Sequence, residues 1–186
     1  MNRRPVTLMA PTTTSTTQTK PTRQPPQGLD TITPCLWFDG QAEEAARFYV
    51  SIFPDSSLDR VVPSPTDYPA GKKGDTVLVE FTLMGRKFTA LNGGPYFHLN
   101  EAVSFIVPCK DQAEVDRYWK ALSAVPEAEQ CGWLKDKFGA SWQIVPTRMF
   151  ELLVDPDPQR AARAYEAMMD MTKLDVAALE RAADGR

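Results

Sequence analysis

QAEEAARFY at residues 41–49 and QAEVDRYW at residues 112–119 write the same helix twice, matching with one gap about 70 residues apart, a spacing that makes an internal repeat worth testing. Working outward from the first copy, TITPCLWF at 31–38 is a short apolar, β-branched run of strand type, closed by Asp39-Gly40 as a helix start. Ala45, Phe48, Tyr49, Ile52 and Phe53 recur at helical spacing, and the glutamates sit in the first turn where the macrodipole favours them. Three β-type segments follow at 58–62, 75–84 and 86–92, with Met84-Gly85-Arg86-Lys87 as a hairpin turn and the Pro- and Gly-rich stretch 63–74 as a loop.

Around the second copy the order begins again. Residues 102–108 (AVSFIVP) form a strand, Asp111 and Glu114 make a capping box, and Val115, Tyr118, Trp119 and Leu122 supply the helical stripe. Strands at 133–138 and 141–145, with a further segment at 128–131, complete the half. The expected fold is α+β: two βαβββ modules, 29–97 and 98–147, forming paired curved mixed sheets within one domain. Residues 148–186 read as a C-terminal helical extension, with Ala161, Ala164, Tyr165, Met168 and Met171 on one face that must pack on something.

Residues 1–28 are crowded with Thr and Pro and carry few large apolar side chains, so a disordered leader is expected. Their Arg-containing, acid-free composition also resembles an organellar transit peptide, but the prolines spoil the amphipathic helix such peptides form. All the basic excess of this segment (Arg3, Arg4, Lys20, Arg23) leaves the body more acidic than the overall −3, which argues against a nucleic-acid partner. No apolar run reaches the roughly 18 residues a membrane span needs. Cys35, Cys109 and Cys131 form no CxxC pair, and with no secretory leader they suggest a reducing, cytoplasmic setting. They read first as small buried residues; Cys109, beside Lys110, is the candidate for a reactive thiol.

The blocks ITPCLWFDGQAEEAARFYVSIFP, VEFTLMGRKFTALNGGP, VSFIVPCKDQAEVDRYW, CGWLKDKFGASWQIVP and MTKLDVAALERA, in that order, resemble the PhnB-like branch of the vicinal oxygen chelate, or glyoxalase-like, superfamily. Members of that branch often carry the label 3-demethylubiquinone-9 3-methyltransferase. The resemblance implies two curved sheets making a cup that holds a divalent metal and a substrate, with His and Glu donors on the first and last strands of each module. In this chain those slots fall on Ile32 or Pro34, on Ala90 with Asn92 two along, on Ala102 or Ser104, and on Gln143, none of which is a strong ligand. No metal and no cofactor is therefore expected, and no catalytic residue is assigned.

What remains is a ligand-binding reading. Asn92, Ser104 and Gln143 are expected to form a neutral polar cluster between the sheets, with Phe88 and Trp133 as aromatic walls and His98, the sole histidine, at the rim. Trp37 and Trp142 are further aromatics of pocket or core, and Glu80, Lys135 and Asp136 read as a solvated charged face. The expected function is metal-independent binding of a small molecule by a cytoplasmic homodimer. The alternatives are an enzyme of the superfamily (lyase, isomerase or dioxygenase) or the methyltransferase of the family label, which requires an adenosyl-donor site; the Gly93-Gly94-Pro95 stretch does not resemble one.

Overall fold

The computed structural model describes residues 32–186. The leader expected at 1–28 lies outside the described residues. The first module runs β1 (Cys35–Phe38), α1 (Ala42–Ile52), β2 (Ser57–Pro63), β3 (Thr76–Leu83) and β4 (Arg86–Asn92). Its sheet has the order β1-β4-β3-β2, with β1 parallel to β4 and the other pairs antiparallel. The second module runs β5 (Ser104–Cys109), α2 (Gln112–Leu122), a single 3₁₀ turn (Pro126–Ala128), β6 (Trp133–Lys135) and β7 (Ser141–Pro146), in the order β5-β7-β6 with β5 parallel to β7. Helices α3 (Thr147–Leu153), α4 (Pro158–Met169) and α5 (Val176–Ala183) follow.

The two modules share a plan: a first strand, a helix, and a last strand (β4 or β7) that pairs parallel to the first. The second has three strands where the sequence pattern suggested four. Pro126 has no N–H to give a ladder, and Cys131 (φ 51°) and Gly132 (φ 84°) place a tight turn where a strand needs extended backbone. Only a bridge between Gln130 and Trp133 marks the position. Asp39-Gly40, expected to start α1, is a bend with Gly40 at φ 83°, and the helix begins at Ala42 instead. The Asp111 cap of α2 is as expected: its Oδ1 accepts from Glu114 N at 2.9 Å, and the Glu114 carboxylate accepts from Lys110 N at 3.0 Å.

Strand alternation decides where the core lies. Val79, Phe81 and Leu83 of β3 and Phe88 and Ala90 of β4 are buried on the face that α1 covers, and Phe105, Val107, Trp142 and Ile144 occupy the matching face of the second sheet. These two faces meet. Tyr49 and Phe53 of α1 each pack 5.3 Å, ring centre to ring centre, from Trp142 of β7; Phe53 stacks on Tyr118 of α2, and Phe88 meets Phe105 at 5.4 Å. The space between the sheets, where the sequence reading placed a ligand, is thus filled by aromatic side chains. A second cluster, comprising Val145, Met149, Leu152, Ala164, Leu174, Leu179 and Ala183, joins the C-terminal helices to the opposite face of β7.

Candidate ligand-binding site

Strand β7 has both faces covered, and its outward face carries Gln143 and Val145. Trp133 pairs with Gln143 across the β6–β7 ladder, and Gln143 Nε2 donates to Ser104 Oγ of β5 at 2.8 Å. Helices α3 and α4 pass over this face, because Met149 and Leu152 of the one and Ala164 of the other are held in the second cluster. They leave a cavity of about 560 Å³. Its walls are Trp133, Gln143 and Val145 from the sheet, Met149 and Leu153 from α3, and Met168 and Met169 from α4; Glu101, Gln130 and Cys131 stand at its margin. The volume is that of a small-molecule site, and the lining follows the usual pattern of an apolar wall with few polar groups.

Apart from Glu101, the polar side chains lining the cavity are neutral. Gln143 uses its amide N–H on Ser104, leaving Oε1 without a partner among the described residues and able to accept from a ligand. At the margin Glu101 is ion-paired with Lys135, whose ammonium hydrogen bond holds the Glu101 carboxyl below the usual carboxylate range.

Three of the expected site residues come together here: Gln143 and Trp133 line the cavity and Ser104 orients Gln143. The other three do not. Asn92 is buried on the α1 side of β4, where its Oδ1 accepts from Ala42 N and its Nδ2 donates to Thr76 O, both at 2.9 Å. Phe88 has the same strand parity and lies in the shared core, stacked on Phe81. His98 is exposed beside a separate hollow of about 190 Å³, with Leu36, Phe105 and Ser141.

Further sequence readings are corrected by burial. Asp136 and Glu80 are 1% and 6% exposed rather than part of a solvated face. Asp136 closes the turn before β7 by accepting from Phe138 N, Ala140 N and Trp142 Nε1 at 2.8–3.0 Å. Burial pushes its carboxyl above the usual aspartate range despite those bonds. Burial, and next the Asp136 charge, raise the neighbouring Tyr49 hydroxyl, so it stays protonated; no hydrogen bond of good geometry satisfies it. Burial likewise pushes the Cys109 thiol up to about 12, and with no exposed surface it is an inert core residue.

Sequence reasoning missed Cys131, Met149, Leu153, Met168 and Met169. Met168 is legible in the sequence as part of an apolar helix face, but neither it nor Met149 and Met169 is legible as the facing wall of β7. The superfamily's divalent-metal donors find no match in this arrangement. Ser104 and Gln143 offer neutral oxygens, Ala90 and Asn92 point to α1, and no three His, Cys, Asp or Glu side chains converge among the described residues. The residues present do not fit a hard divalent ion. No helix among the described residues is long and apolar enough to cross a membrane.

Residues 30–145 match the family model described as 3-demethylubiquinone-9 3-methyltransferase. Among solved structures, the chain is similar to a PhnB protein of Bacillus cereus, provisionally described as a 3-demethylubiquinone-9 3-methyltransferase. Identity is 32%, the TM-score is 0.53, and the match covers 62% of this chain and 98% of that one. It also matches protein PA1353 of Pseudomonas aeruginosa (20% identity, TM-score 0.48, 62% and 96% covered). A third match is a lactoylglutathione lyase of Agrobacterium tumefaciens (17%, 0.37, 67% and 96%). None of the proteins of curated function matches the chain. The family match ends at Val145, so α3, α4 and α5, and with them the helical wall of the cavity, lie beyond it.

Proposed function

Starting from the fact that the chain belongs to the 3-demethylubiquinone-9 3-methyltransferase family of PhnB-like, glyoxalase-like proteins, we propose that it binds a small, largely apolar organic molecule between its second sheet and its C-terminal helices. Binding is independent of a divalent metal. The observation that carries the reading is the Gln143–Ser104 pair set into a cavity otherwise walled by Trp133, Val145, Met149, Leu153 and Met168. Gln143 Oε1 selects a ligand with one hydrogen-bond donor, and the methionines adapt to its shape. A wall that repacks without breaking polar contacts suits a family of related ligands.

The protein works as a homodimer in the cytoplasm. Support for pairing comes from apolar side chains left in water, among them Ile106 at 53% exposed on the same face of β5 as Ser104, and Phe150 and Val154 on and just after α3. A mass of one chain in light scattering at micromolar concentration counts against it.

The test of binding is native mass spectrometry of freshly purified protein, followed by thermal-shift titration with any molecule recovered. The expected result is a co-purifying organic ligand that stabilises the protein and is lost or weakened about tenfold or more in Gln143→Leu, since an unpaired ligand donor costs about 1–3 kcal/mol. Stabilisation by a divalent ion instead, or a ligand indifferent to Gln143→Leu and Trp133→Ala, overturns it. The methyltransferase of the family description is the second reading, favoured by the family match alone. It requires methyl transfer from an adenosyl donor to the recovered molecule, which an isotope-labelled donor detects.

A further inference from the structure

The margin of the cavity gathers sulfur. Cys131 Sγ lies 3.9 Å from Met169 Sδ, and Met149 and Met168 line the same cavity, so a turn and two helices bring one thiol and three methionine side chains to it. Cys131 is half-buried and Met169 partly exposed, so the pair can be reached from solvent. No imidazole lines this cavity, and its one lining carboxylate, Glu101, is engaged by Lys135.

From this we infer a binding site for a soft monovalent metal ion, copper(I), held by Cys131 and Met169 with a further thioether from Met149 or Met168. Ligand softness decides the class. Thiolate and thioether donors select copper(I), whereas hard divalent ions require oxygen donors and zinc prefers several thiolates or imidazoles. The spacing agrees. Two sulfurs each about 2.3 Å from one ion, splayed by about 120° in a trigonal site, stand about 4 Å apart. The observed separation therefore needs little rearrangement on loading. The Cys131 thiol now points its S–H at Met169 O, with a separation of 3.4 Å; on binding, the sulfur–hydrogen bond is replaced by a sulfur–copper bond and the proton leaves to solvent, with no change of oxidation state. The turn is firmly placed, since Cys131 N donates to Met171 O at 2.7 Å and Gly132 N to Thr172 O at 2.8 Å, tying it to the segment that follows α4. Met149, Met168 and Met169 all lie beyond the segment matched by the family model, so the site belongs to this chain's helical extension.

The proposal stands apart from the organic-ligand reading. The experiment is an anaerobic titration of the full chain with copper(I) against a competing chromogenic chelator, with X-ray absorption on the loaded protein. The expected result is one copper(I) per chain with only sulfur neighbours. Affinity should fall by about 100-fold or more in Cys131→Ser and about tenfold in Met169→Leu, and stay unchanged in Cys35→Ser and Gln143→Leu. Circular dichroism checks that each variant is folded, and Met169→Leu, which keeps an apolar wall, decides the matter if Cys131→Ser does not fold. Copper that follows Cys35, nitrogen or oxygen neighbours in the absorption spectrum, or full affinity in Met169→Leu overturns the proposal. Because Gln143→Leu keeps copper and weakens the organic ligand, failure of one reading does not carry the other with it.

Discussion

Asn92 is buried on the α1 side of β4 rather than in the polar cluster expected with Ser104 and Gln143. Alternation puts Phe88, Ala90 and Asn92 on one face of β4, and that much is written in the sequence. Which face meets α1 is not written there, because it depends on how the crossover packs. The structure answers with a cap: the first helical amide, Ala42 N, has no side-chain partner at Gln41 and takes Asn92 Oδ1 instead. Asn92→Ala is expected to cost about 1–2 kcal/mol of stability, read from the denaturant midpoint, while leaving cavity binding unchanged. Asp136 makes a pH-dependent prediction. Its folded-state pKa is raised, so its contribution to stability is fully present below the ordinary aspartate value and is lost as pH rises through the raised one. Measured side by side from neutral pH down to about 4, the wild type should gain stability relative to Asp136→Asn as the pH falls. A difference that is flat with pH would mean that the carboxyl is not perturbed.

Among elements, the repeated helix start carried most of the topology. QAEEAARFY and QAEVDRYW become α1 and α2, and in each module the strand before the helix pairs parallel with the module's last strand, β1 with β4 and β5 with β7. The hairpin at Met84-Gly85 was likewise legible, since Leu83 pairs with Arg86 around two residues of positive φ. The turn at Cys131-Gly132 has the same pair of positive φ angles, and Gln130 and Trp133 exchange both main-chain hydrogen bonds around it. The repeat of the βαβββ order suggests a strand near 128–131, ending where this turn stands. Asparagine or glycine suits the first position of such a turn better than cysteine. Cys131→Asn should therefore hold stability level or raise it by up to about 1 kcal/mol, measured by thermal melting, while removing the thiol from the cavity. A loss of more than that would make the cysteine structural.

Among the described residues, two packed cores share one strand. Trp142 and Ile144 of β7 belong to the aromatic core between the modules, and Val145, on its other face, belongs to the core of the helical extension. Sequence periodicity shows an apolar face on the middle helix of the extension, α4; it cannot show that the extension closes on β7, because nothing local links residue 131 with residue 169. Native-state hydrogen exchange should therefore divide the chain, with amides of α4 and α5 opening at lower free energy than those of β3 and β4. Uniform protection would make the extension part of a single cooperative unit.

Trp133 gives the shared strand a practical consequence. It stands in the cavity wall, half-buried, while Trp142 lies sealed on the far side of the neighbouring strand. Of the chain's four tryptophans only Trp133 lines the cavity, so these two serve as a pair of optical probes, one wetted and one dry, while Trp37 and Trp119 add a constant background. Whatever enters the cavity displaces water from the first indole and leaves the second in the dark, so occupancy can be followed by the colour of the protein's own emission, without label or assay substrate.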